Sequence, residues 1–180
     1  MISAENRQAI VEKAKKIKLL ILDVDGVLTD GKLFFDNEGN EYKSFHARDG
    51  HGIKLLRETG VEVAVISGRK SNSVALRMKN LGITHVYQGH EDKRAAFHEI
   101  IETIGITPEQ AAHVGDDLLD LPIMTRVGLA IAVADANFAV KQRADWCTTL
   151  SGGNGAVREV CDFIMQAQGR FDEILDAYLK

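Results

Sequence analysis

The chain is poor in several features that particular protein classes need. It has only two cysteines, Cys147 and Cys161. Neither stands in a C-x-x-C pair or near a histidine cluster, so zinc and redox chemistry are not expected. Basic residues are not in excess, since 22 Lys and Arg against 26 Asp and Glu give a formal net charge of -4. General nucleic-acid binding needs a basic face and is not expected, whereas a small anionic substrate can still bind at a locally positive site.

Long apolar runs are also missing. No segment approaches the roughly 20 apolar residues of a membrane span, and residues 1–17 contain no apolar core of signal-peptide length. We therefore expect no membrane partner and a cytoplasmic location. No repeat, low-complexity stretch or linker interrupts the sequence, and 180 residues suit one domain. The expected organisation is a single domain over residues 1–180.

Short apolar runs alternate with helix-like segments along most of the chain. Lys18 to Val24 predicts a buried strand, and Ser3 is placed to cap a helix that runs to about Lys16. Turn-forming residues 36–40 predict a β-hairpin over about residues 32–46. Further strands are predicted over residues 61–66, 84–87, 112–114, 129–133 and 146–148, and helices over 52–58, 71–80, 92–104 and 155–168. This alternation predicts an α/β fold with a doubly wound, mostly parallel sheet, whose ligands bind beyond the carboxyl ends of the strands.

Two carboxylates, Asp23 and Asp25, leave the end of the first predicted strand. They repel each other and lose hydration there, which is costly unless a cation lies beside them. Hard oxygen ligands favour Mg²⁺ over zinc. Taken alone, the pair is equally well explained as an Asp-rich turn that uses Gly26 for tight geometry.

Later strand ends carry further polar groups. Ser67 and Gly68 offer a hydroxyl and backbone N–H donors to a phosphate, although Ser-Gly is also ordinary turn chemistry. Lys93 begins a predicted helix and could reach the same phosphate. A second acidic cluster follows another predicted strand and contains Asp116, Asp117 and Asp120.

Together these motifs resemble the haloacid dehalogenase superfamily. They are D-x-D-G-x from Asp23, a strand-end S-G-R from Ser67, Lys93, and G-D-D-x-x-D ending at Asp120, in that order. The resemblance covers Asp23 to Asp120 and implies a Mg²⁺-dependent phosphatase. It implies that Asp23 attacks phosphorus to form an aspartyl-phosphate. Asp25 would protonate the leaving alcohol and then activate the attacking water.

The resemblance also implies which residues bind the metal. Asp23, Asp116 and the backbone carbonyl of Asp25 would be the protein's ligands to Mg²⁺. Phosphate oxygens and waters would complete the coordination shell.

The phosphate-binding groups implied by the resemblance are Ser67, Gly68 and Lys93. Asp117 and Asp120 would orient Lys93, the metal-bound waters or the loop. None of these residues is singled out by its local sequence alone.

The spacing of the motifs leaves no room for a cap domain. Residues 25–67 hold only the hairpin, one helix and one strand, and residues 93–115 hold one helix and a capped turn. The site is therefore expected to be open unless another subunit covers it.

The D-V-D-G-V-L-T-D-G opening, residues 48–53 and residues 151–159 resemble one capless subgroup, the 3-deoxy-D-manno-octulosonate 8-phosphate phosphatases. This resemblance implies hydrolysis of a phosphorylated sugar acid in lipopolysaccharide biosynthesis, and a homotetramer. Related phosphatases that act on N-acylneuraminate 9-phosphate share much of the pattern and remain an alternative. Substrate contacts beyond the phosphate are expected from Arg69, Arg48 and His51, since a guanidinium binds a carboxylate bidentately. For Arg48 and His51, an ordinary surface position explains the residue as well.

Two segments are expected at a subunit contact. The hairpin carries more apolar surface than a lone hairpin should expose, in Leu33, Phe34, Phe35, Tyr42 and Phe45. Residues 152–155, Gly-Gly-Asn-Gly, are expected to be flexible and to let the C-terminal part reach a neighbour's site. A hairpin packed on its own domain and a plain glycine loop are the alternatives.

Two other functional classes use similar residues. A phosphorylation-dependent signalling receiver has an acidic cluster, a hydroxyl residue and a lysine on a parallel sheet, but its phosphorylated aspartate follows a later strand. A catalytically inactive interaction subunit would share the fold, although every motif residue is present here. Steady turnover of a phosphomonoester excludes both.

Overall fold

The computed structural model describes residues 4–180, so Ser3, predicted to cap the first helix, lies outside the described residues. The strands are β1 (Leu19–Leu22), β2 (Phe34–Phe35), β3 (Glu41–Tyr42), β4 (Glu62–Ser67), β5 (His85–Gln88), β6 (Ala111–Gly115), β7 (Leu129–Ala132) and β8 (Trp146–Cys147). The α-helices are α1 (Ala4–Ala14), α2 (Ala47–Glu58), α3 (Asn72–Leu81), α4 (Arg94–Ile104), α5 (Leu121–Met124), α6 (Phe138–Lys141), α7 (Ala156–Ala167) and α8 (Phe171–Tyr178). Short 3₁₀ turns cover Pro108–Gln110 and Leu118–Asp120.

The main sheet has six strands in the order β5-β4-β1-β6-β7-β8, and every neighbouring pair is parallel. Strand β1 lies at the centre of the sheet, and β4 and β5 follow in order on one side of it. The chain then crosses to β6, which pairs with the other side of β1, and continues to β7 and β8. The predicted doubly wound α/β sheet is confirmed. The order reverses between β1 and β6, so the crevice beyond their carboxyl ends is where ligands bind in such sheets.

Both faces of the sheet are covered by helices, which explains why β1 is apolar at every position. Leu20 and Leu22 pack in the cluster that α1, α2, α3 and α7 share. Leu19 and Ile21 point to the opposite face and pack with residues of α4 and α5. Within residues 4–180, no helix has both the length and the apolar character needed to cross a membrane.

The hairpin forms a separate two-stranded sheet, in which Phe34 is paired with Tyr42. It is the predicted hairpin, and only α2 lies between it and β4. The described residues 25–67 therefore contain no cap domain, as the motif spacing predicts.

Helix α2 differs from its prediction. It begins at Ala47 rather than Gly52, so residues 47–51, which the prediction left outside the helix, are helical. Gly50 and Gly52 weaken the helical pattern in the sequence. In the structure they leave space for neighbouring side chains, because a Cβ at Gly50 would meet Arg77 and one at Gly52 would meet Arg158.

Candidate active site

Three aspartates meet at the switch point between β1 and β6. Asp23 follows β1, and its N–H donates to Val114 O at 3.1 Å, which continues the pairing of the two strands. Carboxylate oxygens of Asp23, Asp116 and Asp120 all lie within 4.8 Å of one another. The sheet topology thus places both predicted acidic clusters in one crevice.

Lys93 supplies the positive charge in this crevice. It immediately precedes α4 and is only 1% exposed. Its Nζ donates to Asp23 Oδ1 at 2.6 Å and to Asp120 Oδ1 at 2.7 Å. A buried ammonium is costly unless it is paired, and the carboxylates of Asp23 and Asp120 provide that pairing.

Asp120 is fully engaged in hydrogen bonds. Its Oδ1 accepts from Lys93 and lies 2.9 Å from Nε2 of the buried His113, and its Oδ2 accepts from the backbone N–H groups of Asp116 at 3.0 Å and Asp117 at 3.3 Å. Burial alone would raise the pKa of Asp120, but His113 and Lys93 hold it below its ordinary value. With these contacts made, Asp120 holds Lys93 in place rather than offering oxygens to a cation. His113 is missing from the predicted site because its sequence context, an apolar strand, gives no signal of this contact.

In contrast to Asp120, Asp23 and Asp116 have pKa values above the ordinary value for an aspartate. Burial, followed by repulsion from Asp120, raises the pKa of Asp23 to about 7. Burial, followed by repulsion from Asp23 and Asp120, raises the pKa of Asp116 to about 8. Within residues 4–180 no group donates a hydrogen bond to the Asp116 carboxylate. Two neighbouring carboxylates with raised pKa values and available oxygens fit a hard divalent cation such as Mg²⁺.

The Asp25 carboxylate does not join this cluster. It forms an ion pair with Lys43, and one of its oxygens lies 3.8 Å from Nε of Arg69. Arg69 also donates to Glu41 Oε1 at 2.8 Å. Lys43 and Glu41 are missing from the predicted site, although the alternation of Glu41, Tyr42 and Lys43 along a strand places both charges on one face.

Ser67 occupies the predicted position at the end of β4, the strand next to β1. It is 3% exposed, and its Oγ accepts from the Arg69 N–H at 3.3 Å. Gly68 follows it at the same edge of the sheet. The turn that was predicted to hold a phosphate therefore lies beside the strand that carries Asp23.

The remaining predicted residues have other neighbours. The Asp117 carboxylate accepts from the Leu118 N–H at 2.8 Å and begins the 3₁₀ turn that leads to Asp120. Arg48 is exposed in the first turn of α2, and His51 Nε2 lies 2.9 Å from the hydroxyl of Tyr178 in α8. Neither has a described contact with the aspartate cluster.

The loop after Asp23 is held by groups that the sequence does not reveal. Gly26 has φ 93°, and the buried Thr29 hydroxyl donates to Val24 O at 3.3 Å while it accepts from the N–H of Gly31 at 3.2 Å. A Cβ on Gly26 would overlap the Asp116 carboxylate. Only glycine allows this close approach of the two acidic segments.

The glycine segment 152–155 is packed, which contradicts its prediction as a flexible hinge. The Gly152 N–H donates to Asp135 Oδ1 at 3.0 Å, and the Gly153 N–H donates to Val27 O at 2.9 Å. A Cβ on Gly152 would overlap the carbonyl of Gly26. Glycine at these positions permits close packing against the loop that follows Asp23.

Comparison with known proteins finds a matching family and similar phosphatases. Residues 80–160 match the haloacid dehalogenase-like hydrolase family. The 3-deoxy-D-manno-octulosonate 8-phosphate phosphatase KdsC of Escherichia coli K12 is 52% identical over 164 residues, which are 91% of this chain and 87% of the relative.

Two solved structures share the fold closely. The 3-deoxy-D-manno-octulosonate 8-phosphate phosphatase of Yersinia pestis is 47% identical, with a TM-score of 0.90 over 91% of this chain and 89% of that one. The Moraxella catarrhalis phosphatase, solved with a magnesium ion, a phosphate ion and KDO, is 42% identical, with a TM-score of 0.92 over 94% of this chain and 97% of that one. This chain therefore belongs to the 3-deoxy-D-manno-octulosonate 8-phosphate phosphatase family of the haloacid dehalogenase-like hydrolases.

Proposed function

We propose that this protein is a Mg²⁺-dependent phosphatase that hydrolyses 3-deoxy-D-manno-octulosonate 8-phosphate to 3-deoxy-D-manno-octulosonate and phosphate, a step of lipopolysaccharide biosynthesis. The observation that carries the proposal is the buried Asp23 carboxylate, bound to Lys93 and placed beside Asp116 at the switch point of the sheet. The names of the relatives in Escherichia coli and Yersinia pestis support this substrate.

Asp23 is the nucleophile of the proposed reaction. Lys93 binds its Oδ1, which fixes the carboxylate and leaves Oδ2 to attack phosphorus. The attack forms an aspartyl-phosphate and divides one difficult displacement into two easier ones. Because the carboxylate is buried and fixed before substrate arrives, little reorganisation is needed at the moment of attack.

Mg²⁺ would be held by Asp23, Asp116 and the backbone carbonyl of Asp25. Bound Mg²⁺ screens the repulsion between an anionic nucleophile and an anionic phosphate. The raised pKa values of the two carboxylates, and the absence of a described donor to Asp116, support this set of ligands.

The transferring phosphoryl group is bound by Ser67, Gly68 and Lys93. The Ser67 hydroxyl and the Gly68 N–H lie at the carboxyl edge of β4, and the Lys93 ammonium approaches from the start of α4. Such preorganised donors stabilise the charge on the equatorial oxygens. Asp120 orients Lys93, and Asp117 orients the short turn that leads to Asp120.

Asp25 is the general acid and base. Its carboxylate is outside the metal cluster and partly open, which suits a group that gives a proton to the leaving alcohol and later takes one from water. Arg69 is half-exposed beside it, and its guanidinium is suited to the carboxylate of a sugar acid. Arg48 lies near Asp49 and His51 contacts Tyr178. The role of Arg48 and His51 in binding the substrate therefore stays a prediction.

The active unit is a homo-oligomer, which we propose to be a tetramer with the hairpin at its centre. Large apolar side chains on the hairpin are about half exposed, at 47–57% for Leu33, Phe34, Phe35 and Tyr42. Phe45, which was also predicted to be exposed, instead packs against the core. Association would bury this patch and protect the edges of a two-stranded sheet. Sedimentation should show the oligomer, and Phe34→Asp with Phe35→Asp should dissociate it. A fully active monomer at assay concentration would refute this assembly.

The proposed activity is tested with a panel of phosphomonoesters assayed with Mg²⁺. It should contain 3-deoxy-D-manno-octulosonate 8-phosphate, N-acylneuraminate 9-phosphate and simple sugar phosphates. We expect the octulosonate ester to give the highest kcat/KM. A preference for the neuraminate ester would assign the alternative substrate, and no turnover of any ester would refute the phosphatase. The cytoplasmic location stays a prediction.

A further inference from the structure

Lys43 is a buried cation that the phosphatase mechanism does not yet use. It follows β3, the second strand of the hairpin, and its side chain is only 1% exposed. Tyr42, the residue before it, is 57% exposed. Successive side chains of an extended strand point to opposite faces, so Glu41 and Lys43 share the face turned towards the active site.

Four charged side chains meet on that face. The Lys43 ammonium forms an ion pair with Oδ1 of Asp25 and lies 3.2 Å from Oε1 of Glu41. Arg69 donates to the same Glu41 oxygen at 2.8 Å and lies 3.8 Å from Oδ2 of Asp25. The two oxygens of Asp25 therefore face different cations, and only Lys43 forms a close contact.

The two cations differ in how firmly they are held. The Arg69 side chain is 47% exposed, whereas that of Lys43 is 1% exposed. A buried ion pair with good geometry fixes its partner's orientation, while an exposed one constrains it little. Lys43 is thus the group that determines where the Asp25 carboxylate points.

We propose that Lys43 is a positioning residue for Asp25, held in the site by the hairpin. This inference rests on the proposed function, in which Asp25 serves the leaving alcohol and the attacking water. Lys43 acts through Asp25 and does not touch the phosphoryl group. Removing it would leave a partly buried carboxylate with only the more distant, exposed Arg69 nearby.

The proposal gives the hairpin two roles on its two faces. Tyr42 and its cross-strand neighbour Phe34 form one exposed apolar face. The other face carries the exposed Phe35 opposite Glu41, and from this face Lys43 reaches Asp25. A contact that orders the apolar face would also order the ion pair at the general acid and base. The position of Asp25 would then depend on the state of the hairpin.

The test is a double-mutant cycle between Lys43→Met and Asp25→Asn, with kcat measured on the octulosonate ester in saturating Mg²⁺. Lys43→Met keeps most of the length of the side chain but removes its charge. It should lower kcat by about 10–100-fold, part of what general acid–base catalysis contributes. In the Asp25→Asn background the same substitution should change kcat by less than about 2-fold, because the residue it positions is already disabled.

Two controls separate positioning from folding. Lys43→Arg keeps the charge and should recover most of the lost kcat, and Lys32→Met removes an exposed lysine of the same hairpin and should leave kcat unchanged. Lys43→Met should keep the wild-type rise in Tm on addition of Mg²⁺.

Three outcomes would overturn the proposal. Near-normal kcat in folded Lys43→Met would show that Asp25 needs no such partner. An equal loss in the wild-type and Asp25→Asn backgrounds would show that Lys43 acts independently of Asp25. Near-normal turnover of Asp25→Asn itself would refute the assigned role of Asp25, and with it this inference.

Discussion

Gly152 lies so close to Gly26 that a Cβ on Gly152 would overlap the Gly26 carbonyl oxygen. The segment before α7 is thereby joined to the loop that carries Asp25, with a further hydrogen bond from the Gly153 N–H to Val27 O. At position 152, only glycine, which has no Cβ, leaves room for the Gly26 carbonyl. The position of the loop that carries Asp25 therefore depends on a residue more than a hundred positions away in the sequence.

Substituting Gly152 should damage catalysis through the loop. Gly152→Ala places a methyl group against the backbone of Gly26, so the two segments must separate. Overpacking of this kind costs about 1–3 kcal/mol of stability. A misplacement of about 1 Å in a catalytic group costs on the order of 100-fold in rate, so kcat should fall by at least about 10-fold. Steady-state kinetics and urea unfolding measure the two effects.

Ser151→Ala is the matched control for Gly152→Ala. It changes the neighbouring residue without adding an atom at the contact, so we expect kcat and stability close to wild type. A Gly152→Ala variant with wild-type kcat would show that the close approach does not position the loop.

The stabilising effect of Mg²⁺ should increase with pH. Folding raises the pKa of Asp23 to about 7 and that of Asp116 to about 8, whereas an aspartate in an unfolded chain has a pKa of about 4. In the metal-free protein, protonation of these two carboxyl groups stabilises the folded state. This contribution to the free energy of unfolding is fully present below about pH 4 and is lost as the pH rises through 7 to 8.

Metal binding needs the same two groups deprotonated. The rise in Tm on addition of Mg²⁺ should therefore grow between pH 6 and pH 8 and then level off. Thermal unfolding with Mg²⁺ and with EDTA across this range measures it. A rise in Tm that is constant or shrinks with pH would contradict the assignment of Asp23 and Asp116 as ligands.

Asp116 and Asp117 are adjacent but should respond differently to the same substitution. Asp116→Asn removes the charge of a proposed ligand and should raise the Mg²⁺ concentration for half-maximal activity by at least about 10-fold, because ligand charge sets affinity for such ions. Without metal it should be no less stable than wild type at pH 8, since it relieves repulsion with Asp23.

Asp117→Asn is the control in this pair. The Asp117 side chain caps a 3₁₀ turn, and asparagine caps nearly as well as aspartate. Its Mg²⁺ requirement should match wild type. Mg²⁺ titrations of activity compare the two variants, and equal shifts in both would mean that Asp116 has no special place at the metal.

The sheet was predictable from the sequence because its signals are local. Neighbouring residues alone identify the apolar run before Asp23 as a buried strand. They also identify the ends of α3 and α4, where Gly82 and Gly105 take the left-handed conformation that ends a helix. The start of α2 was not predictable in this way. Gly50 and Gly52 weaken its helical pattern, and the arginines that explain them lie elsewhere in the chain.

The site was only partly predictable for the same reason. Three of the motifs follow strands directly, and Lys93 starts the helix after β5. A doubly wound sheet brings strand ends together, so the grouping of Asp23, Lys93 and Asp116 follows from local signals plus topology. His113 and Asp120 are 7 residues apart and Asp25 and Lys43 are 18 apart, but each contact depends on how the chain turns back on itself between the two residues. No short pattern records these contacts.

The most direct test of the central claim is the turnover of purified Asp23→Asn on 3-deoxy-D-manno-octulosonate 8-phosphate in saturating Mg²⁺. The amide keeps the shape of the side chain but cannot act as the anionic nucleophile, so kcat should fall by about 10⁴-fold or more, as for other covalent nucleophiles. Asp92→Asn removes an exposed carboxylate beside Lys93 in the sequence and should turn over normally. A folded Asp23→Asn variant with near-normal kcat would contradict the assignment of Asp23 as the group that takes the phosphoryl group.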